Sequence, residues 1–542
     1  MLNRKSFGRT PKFIVITGGV ISGLGKGLFT ASLGKLLQSR GFSVIPVKID
    51  PYMNVDAGTM NPIEHGEVFV LDDGGEVDMD LGTYERFLEL NLTSESNITT
   101  GKIYKKVIDR ERNGDYLGKT VQLIPHITDE LKSWFRKVAA HSKAEIELIE
   151  VGGTVGDIEN LVFLEALREL SMEEDVLFIH CTLVPVMKTV GEQKTKPSQQ
   201  SVQKLREIGI LPDFIFARCE VCLLESIVKK LSLFCGVPEA NVICGPDVKN
   251  IYEIPLILEE QGLTEKVLAA LQIHDGRQKD MKEWKARVDA MTSPGKAIEI
   301  AVTGKYTALH DSYVSIEQSL KHASAELGCE IKLRWIETTD IENGRRSVED
   351  ALAGVSGIIV PGGFGSRGTE GKIACVGYAR KHDLPFLGLC FGFQLAAIEY
   401  ARDACGLAKA NSTEIDPETP HPVIDMLPEQ RKVYKKGGTM RLGGQDVIIK
   451  EGTLAHHIFG SLKARERFRH RYELNPAYAE RLRSKGLVFS GHDSSGEIMQ
   501  MLELLKHRFF FATQFHPEFT SRFLKPSPIF TAFVRACMQY AP

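Results

Sequence analysis

Three residues in two distant segments of the chain have the types needed for nucleophilic catalysis. Cys390 stands between glycines in the stretch 388–392, and His516 and Glu518 follow far downstream, separated by one proline. The apolar run 384–388 predicts a short strand and residues 394–398 open a helix, so Cys390 is expected on the tight turn between them. A helix N-terminus beneath the sulfur favours the thiolate, which is the reactive form of cysteine.

His516 is the expected base for this thiol. Side chains alternate along an extended strand, and the run 511–518 is predicted to be extended, so His516 and Glu518 should project to the same side. The carboxylate can then orient the imidazole. Cys390 as a buried packing residue is the alternative; the turn between strand and helix and the His-x-Glu pair favour catalysis.

A glycine-rich turn near the N-terminus has the composition of a phosphate-binding loop. Residues 18–27 read GGVISGLGKG, after an apolar run at 13–17 and before a helical pattern that begins near Leu28. Backbone N–H groups can converge on phosphate oxygens there, and Lys26 can neutralise a transferred group. Such turns also serve packing alone. The strict G-x4-G-K-[ST] pattern fails because Val20 and Gly27 replace Gly and Ser or Thr, so Mg²⁺ would need carboxylates elsewhere.

The elements that must position these residues alternate between strands and helices in both halves of the chain. Apolar runs at 13–17, 44–49, 146–151 and 176–180 alternate with helical patterns, and a fresh strand is predicted at 298–303. The pattern predicts an α/β protein with two doubly wound domains, each a mostly parallel sheet flanked by helices. We place the first domain at 1–272, a charged linker at 273–297 and the second domain at 298–542.

Composition excludes several functional classes. The 542 residues carry a net charge of −3, with 43% hydrophobic and 25% charged residues, which is typical of a globular protein without the basic field that nucleic acids require. No apolar run has membrane length, and the N-terminal run is too short for a signal peptide, so we expect a cytoplasmic protein. The ten cysteines lack disulfide or zinc spacing, because the pair Cys219 and Cys222 has no second pair, and are expected to be reduced core residues.

The C-terminal half resembles the class I glutamine amidotransferases, which hydrolyse glutamine to glutamate and ammonia. The resemblance rests on Cys390, His516 and Glu518, and on the stretch 361–365, which is similar to the family's oxyanion strand. It implies a glutamyl thioester at Cys390, with its oxyanion bound by the N–H groups of Gly363 and Phe391.

From about residue 11 to about residue 535 the chain is also similar to the CTP synthase family. The long motifs that carry this resemblance lie at 18–27, 48–56, 65–70, 150–159 and 194–199. The resemblance implies ATP-binding residues, which are Ser22, Gly23, Leu24, Gly25, Lys26, Gly27, Leu28, Lys48, Asp80 and Asp247. It implies UTP-binding residues, which are Ser22, Lys194, Thr195, Lys196, Pro197, Ser198, Gln199 and Lys230. The CTP-binding residues it implies are Ser22, Asp157, Ile158, Glu159, Lys194, Lys196, Gln199 and Lys230.

The same resemblance assigns the remaining sites. It implies Mg²⁺ ligands at Asp80 and Glu150, and a GTP effector site at Arg367, Gly368 and Glu370. Glutamine-binding residues implied in the same way are Gly363, Phe391, Gly392, Phe393, Gln394, Glu414 and Arg471.

The activity implied by the resemblance is ATP-dependent amination of UTP to CTP with ammonia from glutamine. GTP would activate the glutaminase, CTP would inhibit, and the subunits would form a homotetramer with no nucleic-acid or membrane partner. The chain departs from the family at Gln200, where His is common, at Leu28 and Phe29, and in the extra residues 1–10.

Two other readings use the same signals. One is an amidoligase of similar build, such as a cobyrinic acid amide synthase, which would aminate a carboxylate but has no reason to carry the motifs at 48–56 and 194–197. The other is a partitioning-type P-loop ATPase with a decayed glutaminase-like module. The intact set of Cys390, His516 and Glu518 disfavours this second reading.

Overall fold

The computed structural model describes residues 11–60, 66–187, 191–274, 279–304, 310–426 and 440–540, and the structural statements below concern these residues. The leader at 1–10, His65 of the motif at 65–70 and part of the predicted linker lie outside them. Within the described ranges, no helix has the length and apolar content needed to cross a membrane.

Strands and helices are numbered here along the chain. The strands are β1 Lys12–Gly18, β2 Val44–Asp50, β3 Phe69–Val70, β4 Glu76–Val77, β5 Asn97–Thr99, β6 Ile146–Val151, β7 Val176–Leu183, β8 Val186–Met187, β9 Glu192–Gln193, β10 Phe214–Cys219, β11 Val242–Pro246, β12 Ala297–Gly304, β13 Glu330–Glu337, β14 Gly357–Val360, β15 Phe386–Leu389, β16 Ala410–Ser412, β17 His421–Met426, β18 Arg441–Ile449, β19 Lys463–His470, β20 Tyr472–Leu474, β21 Val488–His492, β22 Met499–Glu503 and β23 Phe510–Thr513. The helices are α1 Lys26–Ser39, α2 Met79–Leu88, α3 Thr100–Arg112, α4 Thr128–Ser142, α5 Leu161–Glu173, α6 Lys196–Glu207, α7 Glu225–Cys235, α8 Ile254–Glu260, α9 Leu263–Ala270, α10 Lys282–Thr292, α11 Val314–Leu327, α12 Thr338–Glu342, α13 Val348–Leu352, α14 Thr369–Lys381, α15 Phe391–Asp403, α16 Leu454–Phe459, α17 Pro476–Arg483 and α18 Pro528–Gln539.

The chain divides into two compact units whose boundaries are not continuous in sequence. The first unit comprises residues 1–56 and 83–285, and the second comprises 57–82 and 286–542. Helix α10 spans the division at 285/286, within the stretch that the sequence predicts as a linker. The segment 57–82 belongs to the second unit although it lies among the motifs of the N-terminal half.

A seven-stranded parallel sheet forms the centre of the first unit. Its strand order is β11-β10-β7-β1-β6-β2-β5, and every neighbouring pair is parallel. The Val- and Ile-rich strands β1, β2 and β6 are buried on both faces, as expected where helices cover a parallel sheet. Because parallel strands end at one edge, the loops after β1, β2 and β6 meet there.

The second unit is built on a nine-stranded mixed sheet in the order β13-β12-β14-β15-β23-β22-β21-β18-β19. The strands from β13 to β23 pair in parallel, and those from β23 to β19 pair antiparallel. The predicted α/β class with two helix-flanked sheets is confirmed. The antiparallel extension was not predicted, and it brings β19 into the sheet that carries the catalytic turn.

Candidate active sites

Cys390 lies on the turn between β15 and α15, as the sequence predicts. Its backbone has φ 49° and ψ −95°, a conformation that non-glycine residues rarely adopt and that is often found at functional sites. The N–H group of Cys390 donates to the Thr513 carbonyl at 2.7 Å, which holds the turn against β23. The helix begins at Phe391, three residues before the start expected from the sequence, so Cys390 is its N-cap.

Two glycines allow this turn to pack closely. A Cβ atom added at Gly392 would lie 2.1 Å from the Val360 carbonyl oxygen, and one at Gly388 would lie 2.9 Å from both the Ala512 Cβ and the Gly392 backbone. The Gly392 approach is to backbone of β14, and the Gly388 approach is partly to backbone of α15, and neither backbone can move aside freely. The glycines are therefore required by the close contact between strand ends and helix.

His516 and Glu518 form a buried pair on a turn rather than on a strand. Strand β23 ends at Thr513, so the prediction of an extended run to residue 518 is wrong. The Phe519 N–H donates to the His516 carbonyl at 3.1 Å and closes the turn, with Pro517 at its second position. His516 Nδ1 lies 2.7 Å from Glu518 Oε1, so the predicted orientation of the imidazole is still achieved, by the turn instead of by strand alternation.

The charge on His516 is set by two opposing effects. Burial lowers the pKa of His516, but the negative charges of Glu518 and Cys390 outweigh it and raise the pKa to about 10. His516 is therefore a cation at neutral pH. Its Nε2 atom is buried and makes no hydrogen bond of normal geometry to the described residues, which leaves it available to a reacting group.

The sulfur atom contacts groups that the sequence patterns did not single out. The Gln514 side-chain amide donates to Cys390 Sγ at 3.6 Å, and the thiol points to the Arg469 carbonyl at 3.6 Å. The His516 N–H donates to the Arg467 carbonyl at 2.8 Å. The backbone of β19 thus contacts both the predicted nucleophile and the predicted base, which no local pattern indicates.

The predicted oxyanion strand follows β14 and reaches the catalytic pair. A Cβ atom placed on Gly362 would lie 3.0 Å from His516 Cε1 and 3.8 Å from Cys390 Cβ. Gly363, the predicted N–H donor, is the next residue and is exposed, as a donor that must reach a substrate requires.

Several of the predicted glutamine-binding residues surround Tyr472. Burial raises the pKa of the Tyr472 phenol, and the charges of Glu414 and Arg471 act on it in opposite directions, which places both beside it. The Gln394 side-chain amide donates to the Tyr472 carbonyl at 2.7 Å, and Glu414 Oε1 accepts from the Gly365 N–H at 3.0 Å. Gln394 also donates to the Gln514 side chain at 3.4 Å, so these residues connect to the sulfur. Phe391, Gly392 and Phe393 form the first turn of α15.

The predicted GTP residues lie at the start of α14. Gly368 is the N-cap of this helix, and Glu342 accepts from its N–H at 2.7 Å and from the Glu370 N–H at 3.2 Å. The Glu370 carboxylate receives two hydrogen bonds from Arg402, at 2.7 and 3.1 Å. Arg367 is exposed. The three residues are adjacent, and their role stays a prediction.

The segment 57–82 contacts β19 within the second unit, which the sequence did not indicate. Arg465 binds both carboxylate oxygens of Asp72 at 2.9–3.1 Å, and Arg469 Nε donates to Glu76 at 2.8 Å. Phe69 packs edge-on against Phe519, 5.1 Å between ring centres. Phe519 in turn stacks on His516 at 5.0 Å. The contacts of the segment 57–82 join residues hundreds of positions apart in the chain, so only the tertiary structure reveals them.

In the first unit, the phosphate-type loop connects β1 to α1. Gly25 is the N-cap of the helix in the left-handed region at φ 85°, and Gly23 has φ 72°. Val20, which stands where the strict pattern has glycine, also has a positive φ of 82°, an unusual conformation for a β-branched residue. The helix begins at Lys26, two residues before the expected start. Ser22 is exposed, and Leu24, Gly27 and Leu28 lie on or beside the first helical turn.

Lys26 folds back over the end of β1. Its Nζ donates to the Gly153 carbonyl at 2.8 Å, and a Cβ atom on Gly18 would lie 2.6 Å from Lys26 Cδ. Beneath the loop, His180 bridges Thr17 at 2.9 Å and Ser201 at 2.7 Å. Burial, assisted by the Lys26 charge, lowers the pKa of His180 to about 3, so this imidazole is neutral. These two hydrogen bonds join the end of β1, beneath the loop, to α6, and the sequence patterns did not predict them.

Lys48 lies between two buried carboxylates. Its Nζ is 3.5 Å from Glu150 and 3.7 Å from Asp50. Asp50 also accepts from the Asn97 side chain at 2.8 Å, and Glu150 contacts the Tyr84 hydroxyl. Asp50 at the end of β2 was not assigned a role, although its position after a parallel strand could have indicated one.

The predicted Mg²⁺ ligands have no preformed cluster. Asp80 lies in the first turn of α2, where its N–H donates to Asp78 at 3.1 Å. Across the described ranges, no group of three or more His, Cys, Asp and Glu side chains is arranged to hold a metal ion. The assignment of Asp80 and Glu150 stays a prediction.

Arg218 connects the loop to another predicted ATP residue. Its guanidinium donates to the Gly23 carbonyl at 2.7 Å and to Asp247 at 3.1 Å. The Asp247 N–H also donates to the Cys219 carbonyl at 3.0 Å. Sequence reasoning missed Arg218, because an arginine at the end of a strand has no distinctive local pattern.

The predicted triphosphate residues of UTP and CTP begin at the N-terminus of α6. Lys194 contacts Glu192 at 2.5 Å, and the pKa of Glu192 is lowered first by this hydrogen bond and further by the charges of Lys194 and Lys230. The two lysines therefore share one cationic region. Thr195 accepts from Gln199 at 2.9 Å and Ser198 donates to Leu183, while Lys196 and Pro197 open the helix.

The segment predicted to bind the CTP base is an exposed turn. Asp157 accepts from the Thr154 N–H at 3.0 Å, and Ile158 and Glu159 open a short 3-10 turn in which Ile158 is 84% exposed.

All ten cysteines are free thiols, and eight of them are buried. Cys222 is exposed and Cys244 is partly buried, so the expectation of core cysteines is wrong for Cys222. It lies in the loop after β10, where the chain leaves the sheet.

Comparisons with known proteins match both halves of the chain. The family description "CTP synthase N-terminus" matches residues 12–273, and "Glutamine amidotransferase class-I" matches residues 308–536. CTP synthase of Archaeoglobus fulgidus is 55% identical over 98% of this chain and 99% of that relative, and CTP synthase of Pyrococcus furiosus is 54% identical over 98% of each. The solved glutaminase domain of Trypanosoma brucei CTPS with bound acivicin is 35% identical and covers 45% of this chain and 95% of its own, with a TM-score of 0.42.

The fold and the two sites define a class I glutamine amidotransferase joined in one chain to an N-terminal synthetase unit. The identity across nearly the full length of the curated relatives shows more than this class: the chain belongs to the CTP synthase family and is an enzyme of the ligase class.

Proposed function

We propose that this enzyme converts UTP to CTP with ATP, using ammonia released from glutamine and also accepting free ammonia. ATP phosphorylates the 4-oxygen of the uracil ring, and ammonia then displaces phosphate. The observation that carries the proposal is the presence, in a chain of this family, of the Cys390 turn with its buried His516 and Glu518 pair. The lysine-bearing loop after β1 supports the other half of the reaction, the phosphorylation by ATP, because Lys26 lies in it.

The glutaminase steps follow from the chemistry of the second unit. The Cys390 thiolate attacks the carboxamide carbon of glutamine, and the carbonyl electron pair moves onto oxygen, where the N–H groups of Gly363 and Phe391 would bind it. When the C–N bond breaks, the His516 cation donates a proton to the departing nitrogen, and ammonia leaves. His516, now neutral, takes a proton from water, and the hydroxide attacks the glutamyl thioester carbonyl. The C–S bond then breaks, glutamate leaves with its carboxyl proton passing to solvent, and the Cys390 thiolate and the His516 cation are restored.

The synthetase steps need positive charge near phosphate oxygens. Lys26 and Lys48 are buried lysines whose ammonium groups can contact the phosphates of ATP once substrate displaces their present partners. Carboxylate oxygens suit Mg²⁺, which keeps several waters and needs few protein ligands, so Asp80 and Glu150 would hold it. Bound Mg²⁺ would neutralise charge on the transferred phosphoryl group.

The nucleotide contacts and regulation complete the proposal. Lys194, Lys196 and Lys230 would bind the triphosphate of either UTP or CTP, since the charges of Lys194 and Lys230 act on one carboxylate. The CTP base would bind at 157–159, and GTP at Arg367, Gly368 and Glu370 would activate the glutaminase. We further propose a cytoplasmic homotetramer, and the exposed Ile158 offers an apolar contact for a neighbouring subunit or ligand.

The decisive experiment separates the two nitrogen sources. Cys390→Ala should abolish CTP formation from glutamine, ATP and UTP while retaining formation from added ammonia, because the thiolate acts only on glutamine. Cys405→Ser, at another buried cysteine, is the matched control and should retain both. If folded Cys390→Ala protein loses both activities, or if wild-type protein makes no CTP from UTP, the proposal is rejected.

A second experiment tests the separate base pocket for CTP. An amino group and a carbonyl at ring position 4 need opposite hydrogen-bonding partners, whereas the triphosphates are identical. Glu159→Ala should therefore raise the inhibition constant of CTP at least about tenfold with little change in the KM for UTP, a loss equivalent to about 1.4 kcal/mol. Lys194→Ala should weaken both nucleotides together. Equal effects of Glu159→Ala on UTP and CTP would contradict a separate pocket.

A further inference from the structure

Three cysteines meet at the ends of β10 and β11 in the first unit. Cys219 Sγ and Cys244 Sγ are 3.3 Å apart, and both sulfurs are free thiols. The parallel register pairs Ala217 with Cys244, so Cys219 lies two residues further along β10 and on the same face of the sheet. Cys222 follows in the exposed loop and is close enough to Cys244 to hydrogen-bond with it.

Of the two paired sulfurs, Cys244 belongs to a partly exposed residue and Cys219 to a buried one, so a small oxidant reaches Cys244 more easily. Hydrogen bonding with Cys219 lowers the pKa of the Cys244 thiol, and hydrogen bonding with the Leu223 backbone and with Cys222 acts in the same direction, although burial opposes it. The same pairing raises the pKa of Cys219. A thiolate that is partly exposed and adjacent to a second thiol has the arrangement of redox-sensitive cysteines.

The pair lies directly beside the proposed ATP contacts. The Cys219 carbonyl accepts from the Asp247 N–H at 3.0 Å, and the preceding residue, Arg218, binds Asp247 and the Gly23 carbonyl. A disulfide requires an S–S distance of about 2.05 Å, so the two sulfurs must approach by little more than about 1 Å. Cys219 and Cys244 are diagonal neighbours in the paired strands, not a directly opposite pair, so closing this distance would shift the backbone at Cys219 and the adjoining Arg218.

We propose that Cys219 and Cys244 are a redox modification site: a peroxide oxidises them to a disulfide, and the disulfide weakens ATP binding. The Cys244 thiolate attacks the peroxide O–O bond, forms a sulfenic acid and releases hydroxide, which takes up a proton as water. The Cys219 sulfur then attacks the Cys244 sulfur, forms the S–S bond and expels the oxygen as a second water. Two thiols lose two electrons and two protons, and the peroxide is reduced to water.

The first arm of the test measures the bond and does not depend on the proposed function. Full-length protein is treated with hydrogen peroxide, alkylated, digested without reduction and analysed by mass spectrometry. We expect a linked Cys219–Cys244 peptide that dithiothreitol removes and that is absent in Cys244→Ser. The matched variant Cys222→Ser should still form it. Absence of the link in the wild type, or a link from Cys244 to Cys222 instead, overturns the proposal.

The second arm measures ATP·Mg²⁺ binding by calorimetry and rests on the proposed ATP site; Cys390 oxidation does not affect this readout. Oxidised wild-type protein should bind ATP at least about fivefold more weakly than reduced protein, and dithiothreitol should restore the affinity. Cys244→Ser should bind equally before and after peroxide. Equal ATP affinity in fully linked and reduced protein overturns the regulatory effect. Failure of reduced protein to bind ATP at all would instead reject the proposed function and with it this effect, while the first arm still reports on the disulfide.

Discussion

The Cys390 turn and the loop at 18–27 have the same local topology. The turn presents a side chain, whereas the loop can present backbone N–H groups. Each follows a buried parallel strand and each leads into a helix N-terminus. At Cys390 a one-residue turn places a side chain at the helix start, with φ 49°. In the loop, left-handed glycines at 23 and 25 leave room for a ligand, and nothing lies within 4 Å of a Cβ added at Gly23.

Turn length and the neighbours of the glycines decide which chemistry each segment can perform. The glycines next to Cys390 are needed because atoms of neighbouring elements lie against them. Gly23 and Gly25 of the loop are needed for their backbone conformation. A tight turn thus suits a reacting side chain, and a wide loop suits an anion bound by backbone N–H groups.

Substitution of Lys26 distinguishes the function of the loop from that of the Cys390 turn. Lys26→Ala should lower CTP formation about 10³-fold with either glutamine or ammonia, because the ammonium group would stabilise charge on the transferred phosphoryl group in both reactions. Glutamine hydrolysis by itself should persist. Steady-state assays with each nitrogen source check this, and the exposed Lys105→Ala is the matched control. An ammonia-dependent rate within tenfold of the wild type would contradict a phosphate role for Lys26.

A glycine substitution tests the tight packing of the Cys390 turn. Gly392→Ala would place a Cβ 2.1 Å from the Val360 carbonyl, so we expect a destabilisation of about 1–3 kcal/mol and at least about a 10²-fold loss of glutamine-dependent activity. Gly377→Ala on α14 is the control, since the atom nearest to its added Cβ is a side-chain oxygen of Glu399 at 3.1 Å and not a backbone atom at 2.1 Å. Rates with glutamine and with ammonia, together with the urea midpoint, provide the measurement. Full glutamine-dependent activity in Gly392→Ala would show that the turn tolerates displacement.

The charge on His516 sets the expected pH dependence of glutamine hydrolysis. Because its pKa is raised to about 10, glutaminase activity should decline only as the pH rises through that value and His516 loses its proton. Glu518→Gln removes the anion that opposes burial, so the alkaline limb should move down by at least one pH unit and the rate at pH 7.5 should fall about tenfold. The pH dependence of glutamine hydrolysis is measured for both proteins, with the exposed Glu497→Gln as control. An unchanged alkaline limb would show that another group raises the pKa of His516.

Much of the fold could be predicted because local patterns carry it. Apolar runs located β1, β2, β6 and β7 within one to three residues, since strands buried on both faces need continuous apolar sequence. The extension of the second sheet to β19 was not predicted. Strands that follow one another along the chain can form antiparallel pairs in several arrangements. Which edge of the sheet they extend depends on the packing of the whole sheet.

The sequence alone was enough to predict the reacting groups, since the types and spacing of Cys390, His516 and the lysine-bearing loop already indicate their chemistry. Tertiary structure alone decided how they are held. The turn at Pro517 joins His516 to Glu518, Gln514 and the Arg469 carbonyl contact the sulfur, and Cys219 meets Cys244 across two strands. Residue types are local properties of the chain and can be read directly from it. Hydrogen bonds between distant segments form only after the sheets have brought those segments together, so local sequence does not predict them.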